Sequence, residues 1–279
     1  MTEADDPHLP APTSAVLPAR ALVTGASSGL GLAFARALVT RGYEIVMVAR
    51  DRSRLDAAAG QLRSRDAVDV EVLAADLSTG EGVAAVAAVL ADMARPVDLL
   101  VNNAGSGTAS SFADNDLAEE QQSLAVHVQA PLQLSHAALG GMRSRGAGTI
   151  LNVSSVAGWL PRGTYGAHKA WLTSFTRWLD IAYRPDGVRA MALCPGFVRT
   201  EFHQRMGVQM RMVPQWMWLD ADAVVDEALR DLADGVRVSV PSRRYRTLLL
   251  AARVLPDRLV AGAQGAVGQQ YPDNRTQSP

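Results

Sequence analysis

Short apolar runs alternate along the chain with longer segments of helical pattern. The runs are Ala21–Thr24, Ile45–Ala49, Val68–Leu73, Val97–Asn102, Thr149–Val153, Val188–Leu193 and Val236–Val240. Most are dense in Val, Ile and Leu without polar alternation, the pattern of parallel strands covered on both faces. Between them lie segments of helical length at about 29–40, 52–63, 80–93, 118–143, 165–183 and 220–233. Strand–helix alternation predicts a parallel sheet with right-handed crossovers. A single unbroken series predicts one α/β domain, over 19–262. Residues 201–219 break the rhythm as an insertion rich in Met and Trp. The acidic, Pro-rich start (1–18) and the polar end (263–279) predict a disordered arm and tail.

Composition narrows the function classes. Among 279 residues, 27 Lys and Arg face 28 Asp and Glu, a net charge of −1. That excludes a dedicated nucleic-acid binder, whose affinity rests on basic phosphate contacts. A hydrophobic share of 48% with 20% charged residues excludes wholesale disorder. The lone cysteine, Cys194, excludes an internal disulfide framework and ends an apolar run, so it reads as a small buried hydrophobe. The five histidines share no metal-ligand spacing with it, so no metal is expected. No uninterrupted apolar stretch reaches the ~18 residues of a membrane span. The start lacks the basic and apolar regions of a secretory leader. A cytoplasmic protein is expected.

Residues 24–31 read TGASSGLG, directly after the first strand and opening the first helix. Glycines at 25, 29 and 31 permit a tight turn that lets a diphosphate approach the backbone amides. The helix N-terminus adds partial positive charge. Ser27, Ser28 and Leu30 belong to the same turn. The spacing G-x3-G-x-G departs from the usual dinucleotide pattern G-x-G-x-x-G. Gly25–Gly29 also fits the hydrolase elbow G-x-S-x-G, with Ser27 as nucleophile. That reading lacks a histidine in triad context, since the last one, His203, lies in the insertion.

Four more motifs follow in order. Asn102-Asn103-Ala104-Gly105 ends the fourth strand, and Ser154-Ser155 ends the fifth. Tyr165-Gly166-Ala167-His168-Lys169 opens a helix, and Pro195-Gly196 follows the sixth strand with Val198 and Thr200 close behind. Over roughly 19–241 the chain resembles the short-chain dehydrogenase/reductase family. The resemblance implies a Rossmann-type, doubly wound fold with seven strands in the order 3-2-1-4-5-6-7. It implies Tyr165 as general acid/base, with Lys169 tuning it and holding the nicotinamide ribose. It also implies that Ser155 positions the substrate and that Asn103, Ala104, Gly105, Pro195, Gly196, Val198 and Thr200 border the cofactor. The chemistry is consistent from the bottom up. Tyr165 and Lys169 stand i and i+4 on one helix face. An ammonium beside a phenol favours the phenolate and brings it towards useful acid/base range.

Two departures matter. The family places a catalytic Asn where this chain has His127 within LAVHVQAPL. In the family that residue's backbone carbonyl helps hold a water linking the lysine to solvent. His127 has three open readings: the same backbone role, a proton relay, or a packed histidine without chemistry. The second departure is the spacer of nine residues between Ser155 and Tyr165, shorter than is usual in the family. It trims one wall of the substrate site and leaves Ser154 as an alternative to the favoured Ser155.

The second strand sets cofactor preference. It ends Ala49-Arg50, with Arg54 close by, which favours the 2′-phosphate of NADP(H), with NAD(H) as the alternative. Asp51 is the counter-indication. Asp76-Leu77 resembles the family's adenine contact, while Asp76 alone also fits a helix cap. In the insertion, Met206, Met210, Met212, Trp216, Met217 and Trp218 suit an apolar lid over a hydrophobic substrate. Residues 241–262 form a basic, apolar helical stretch that fits a docked C-terminal helix, with weak peripheral membrane contact as its rival. Trp171, Phe175 and Trp178 make a stripe that reads as core. By resemblance, the helices at 118–143 and 165–183 imply a homodimer or homotetramer. The expected function is carbonyl–alcohol interconversion with NADP(H). The rivals are a non-catalytic NADP(H)-binding sensor or scaffold and, more remotely, the serine hydrolase.

Overall fold

The computed structural model of the chain describes residues 19–64, 68–105, 112–160, 163–201 and 213–254. The predicted arm and tail, and residues 202–212 of the insertion, lie outside the described residues. The first half runs β1 (Arg20–Thr24), α1 (Gly29–Val39), β2 (Glu44–Ala49), α2 (Arg52–Arg63), β3 (Val70–Ala74), α3 (Gly80–Ala91) and β4 (Leu99–Asn102). After it come α4 (Leu117–Leu124), α5 (Ala130–Arg145), β5 (Gly148–Val153), α6 (Gly163–Tyr183), β6 (Val188–Leu193), α7 (Ala221–Ala233), β7 (Val238–Ser239) and α8 (Arg243–Val254). All seven strands pair in parallel in the order β3-β2-β1-β4-β5-β6-β7. Seven parallel strands are what the apolar runs predict, and their order is the one the family resemblance implies.

The two-residue period of a strand sends alternate side chains to opposite faces. Ala21 and Val23 join one core with α1, α2 and α7, while Leu22 joins the other with α3 and α5. Every residue of β1 is buried, which is why the run shows no polar alternation. The C-terminal ends of the strands gather the glycine turn, the Asn102–Gly105 segment, Ser154-Ser155 and Pro195-Gly196 along one edge.

Three features differ from the sequence expectations. The long helix at 118–143 is split by a π-helical turn at Ala125–Gln129. Its cause is Pro131 in the first turn of α5, which has no N–H to give to the His127 carbonyl and whose ring crowds that carbonyl. The helix widens there, and Ala130 N–H reaches back to Ala125 instead. The aromatic stripe is core only in part, with Phe175 packed against the cluster of α3 and α5. Trp171 stacks on Phe175 at 4.9 Å and Phe175 on Trp178 at 6.0 Å, but Trp178 is 53% exposed. Finally, Asp76 does not cap α3. Thr79 does, accepting from Gly82 N–H at 3.1 Å, while Asp76 binds Ser78.

The far end of α6 is fixed by Asp180, whose side chain is almost fully buried. Its oxygens accept from Arg184, from Arg237 Nε at 2.7 Å and from the buried Ala190 N–H of β6 at 3.1 Å. Deeper in the sheet, Asn102 Nδ2 donates to Asn152 Oδ1 and Asn152 Nδ2 to Thr176 Oγ1, both at 2.8 Å. That buried polar chain ties β4, β5 and α6 together just beneath the site.

Candidate active site

The glycine turn is built from close approaches. Gly25 (φ +67) and Gly29 (φ +55) hold left-handed backbone, which L side chains rarely adopt. A Cβ at Gly25 would stand 2.8 Å from Asn103 Nδ2, and one at Gly31 would collide with the Gly25 carbonyl. Asn103 stitches its segment to the turn, donating from Nδ2 to the Thr24 carbonyl at 2.8 Å. The Asn103 and Ala104 amides both donate to Thr24 Oγ1, at 2.9 and 3.0 Å. Thr200 closes the other side, its Cβ within 3.2 Å of where a Gly29 Cβ would lie. Ser27, Ser28 and Leu30 complete the turn, with Leu30 packed on the core. No acidic residue occupies the first turn of α1. This turn fits the diphosphate of an adenine dinucleotide: glycine surfaces that a Cβ would fill, backbone amides at a helix N-terminus and no repelling charge.

Beyond the turn, Arg50 is exposed at the end of β2. Asp51, the counter-indication to NADP(H), uses its carboxylate to cap α2, accepting from Arg54 N–H at 3.0 Å. Arg54 is ion-paired with Glu201 at the root of the insertion. Burial raises the Asp76 carboxyl, but two hydrogen bonds from Ser78 and the Arg50 cation outweigh it and leave its pKa lowered. Leu77 is buried in the core. Val198 is buried and bridges to Leu219, joining the start of the insertion to its end.

The two serines after β5 differ. Ser154 is buried, with its hydroxyl engaged by the Lys169 carbonyl at 2.8 Å and by Thr173 Oγ1 at 2.7 Å. Ser155 is half-buried, and its Oγ accepts the Ala157 N–H at 3.1 Å, capping the 3₁₀ turn Val156–Trp159. Among the described residues, no acceptor meets the Ser155 hydroxyl proton. On α6, Tyr165 is half-buried and Lys169 is 4% exposed. Lys169 Nζ donates to the Val153 carbonyl at 2.8 Å and lies 5.6 Å from the centre of the Tyr165 ring. Burial pulls the Lys169 ammonium down to about 8, partly opposed by Cys194. His127 is 1% exposed, and its ring meets Tyr165 edge-on at 5.4 Å between centroids. Gly105 lies so close that a Cβ there would stand 2.5 Å from His127 Cε1.

Sequence reasoning missed Tyr245. From α8 its hydroxyl accepts Phe197 N–H at 3.1 Å and donates to the Met217 carbonyl at 2.8 Å. Its ring covers Gly196, where any Cβ would collide with it. The buried tyrosine thus holds the Pro195-Gly196 turn against the end of the insertion at Met217, and no local motif announces a contact of this range. His168 and Glu120 were likewise unmarked as partners.

A seven-stranded parallel sheet with a glycine turn after β1 defines a Rossmann-type dinucleotide-binding protein. The model of the short chain dehydrogenase family matches residues 19–210. Galactitol 2-dehydrogenase (L-tagatose-forming) of Cereibacter sphaeroides is 32% identical over 232 residues, covering 81% of this chain and 90% of its own. A short-chain dehydrogenase from Sphingobium yanoikuyae, solved in complex with NADPH, is 33% identical with a TM-score of 0.78, covering 88% of this chain and 94% of its own. The bulky-bulky ketone specific alcohol dehydrogenase from Comamonas testosteroni is 29% identical with a TM-score of 0.74, covering 94% and 99%. The chain belongs to the short-chain dehydrogenase/reductase family, oxidoreductases of alcohol and carbonyl groups whose fold binds NAD(P)(H). That assignment is to oxidoreductases and not to the serine hydrolases of the rival reading. Among the described residues, no helix is long and apolar enough to cross a membrane.

Proposed function

We propose that the protein reduces an apolar ketone or aldehyde to the alcohol with NADPH, using Tyr165 as general acid. The observation that carries this reading is the buried Lys169 ammonium beside the Tyr165 ring, with Ser155 at the end of β5. A bound reduced nicotinamide supplies the hydride. Ser155 donates a hydrogen bond to the carbonyl oxygen and holds it near the phenol. Tyr165 gives its proton to that oxygen as negative charge develops. The nearby ammonium offsets the charge left on the phenolate.

The exposed Arg50 at the end of β2 and the engagement of Asp51 as a helix cap support NADPH over NADH. The NADPH complex of the Sphingobium relative agrees. An apolar substrate is supported by the Trp- and Met-rich insertion and by the ketone specificity named for the Comamonas relative. A soluble cytoplasmic homodimer or homotetramer is part of the same reading.

Absorbance of NADPH, followed with a panel of bulky apolar ketones and aldehydes, tests it. Consumption that requires a carbonyl, and that Tyr165→Phe abolishes while NADPH still binds, is expected. Turnover by Tyr165→Phe at the parent rate sinks the mechanism. Tight NADPH binding without turnover of any carbonyl favours the sensor reading, which His127 in the usual Asn position supports.

A further inference from the structure

His168 directly precedes the site lysine and has no part in the chemistry above. It points from α6 into the seam with α4 and the π turn, and it is nearly buried. Its ring stacks on His127 at 6.0 Å between centroids, 23° from parallel, and His127 meets Tyr165 on its other side. Across the seam stands Glu120 of α4, 8% exposed, with Oε1 accepting from Asn115 Nδ2 at 2.9 Å. Burial lowers the His168 pKa and Lys169 lowers it further, while the Glu120 charge raises it. The titratable groups facing His168 are thus Glu120 from α4, His127 from the π turn, and Tyr165 and Lys169 from its own helix.

Two buried atoms in this seam, Glu120 Oε2 and His168 Nδ1, have no hydrogen-bond partner among the described residues, nor has the buried Ser123 Oγ on α4. Buried polar atoms are almost always satisfied, by ordered water where protein does not do so. Polar atoms collected in one seam, ending at the candidate acid, have the chemistry of a proton path. A neutral imidazole can accept at one nitrogen and donate from the other.

We propose that Glu120, His168 and His127, bridged by water, carry protons from the outer end of α4 to the Tyr165 phenol. This rests on Tyr165 being the proton donor to substrate. Per turnover, the Tyr165 O–H breaks as the alcohol O–H forms, with the hydride supplied by NADPH. Tyrosinate then takes a proton from His127 as His127 takes one from His168, and His168 takes one from solvent through water held by the Glu120 carboxylate. One proton enters from solvent and one leaves in the alcohol, so the path returns to its starting charge. Glu120, His168 and His127 are positioning and relay residues that do not touch the reacting oxygen, which takes its proton from Tyr165.

The test compares the parent with Glu120→Gln, His168→Gln and His168→Ala, using an aryl ketone from the panel. The path requires kcat to fall roughly ten- to a hundredfold in each variant, with KM for ketone and NADPH held. It also requires an altered kcat–pH profile and partial rescue of His168→Ala by added imidazole. Variants with the parent's kcat–pH profile overturn it. If the parent turns over no carbonyl, the functional reading fails instead, and ¹⁵N titration of the histidines decides the path separately. A His127 midpoint that moves with Glu120→Gln supports the linkage, and an unmoved one overturns it.

Discussion

Lys169 and Cys194 are neighbours buried in the same site, and burial drives their acidities in opposite directions. The thiol is pushed up to about 12 by desolvation. The native protein should therefore resist thiol reagents at pH 8 and react only once unfolded, which a disulfide exchange assay with and without denaturant checks. For Lys169 the folded value of about 8 lies below the unfolded reference of ~10.4. Between those values the unfolded chain binds more protons, so stability rises with pH across that window. Lys169→Met should raise the neutral-pH melting midpoint while abolishing turnover, and the gain should shrink towards pH 10. Replacing Arg50 by Ala should raise the Kd for NADPH roughly tenfold and leave that for NADH nearly unchanged, as one charged hydrogen bond to phosphate is lost. Much of this was legible at the level of single residues. Spacing alone puts Tyr165 and Lys169 on one helix face. Burial, which decides that Ser154 is engaged and Ser155 is open to the site, cannot be read from two adjacent serines.

Helices and strands carry their own signals, and their failures have local causes. The π turn was announced by Pro131 inside a predicted helix, a breaker whose clash falls four residues back, on His127. The aromatic stripe was right for Phe175 and wrong for the exposed Trp178, because a period of 3.6 identifies an apolar face without saying what covers it. The anchor at Asp180 was invisible, since its partners come from the turn after α6, from β6 and from the approach to β7. Burial raises its carboxyl, but hydrogen bonds from Arg184, Ala190 and Arg237 and the Arg184 charge outweigh this and lower it. A lowered carboxyl stabilises above the unfolded value of ~3.9 and loses that contribution as pH falls through the folded value. Asp180→Ala should cost about 2–3 kcal/mol at pH 7, since it leaves a buried amide unmatched. Urea unfolding at pH 7 and pH 3 should show the difference between parent and variant shrinking in acid.

For the whole molecule, the alternation of runs sufficed for the sheet, because a parallel strand must be apolar on both faces and its crossover must be helical. Assembly is less legible. Leu124, Leu132, Trp178 and Ile181 leave large apolar side chains exposed on α4, α5 and α6. If these helices meet a second copy, light scattering should give at least twice the 29.6 kDa chain mass. Trp178→Arg should lower that mass, and a monomeric parent would show that the ridge serves something else.

The contact between Gly196 and Tyr245 reaches beyond this one sequence. Two positions far apart in the chain share a single volume, which permits a tyrosine only while its neighbour lacks a side chain. Across relatives that keep α8, the two should therefore vary together. A chain with alanine at the first should carry a smaller residue at the second, and it would then lose the hydroxyl that joins the Pro-Gly turn to the insertion. Natural variation at this pair would thus report which family members hold that turn from their C-terminal helix and which secure it some other way.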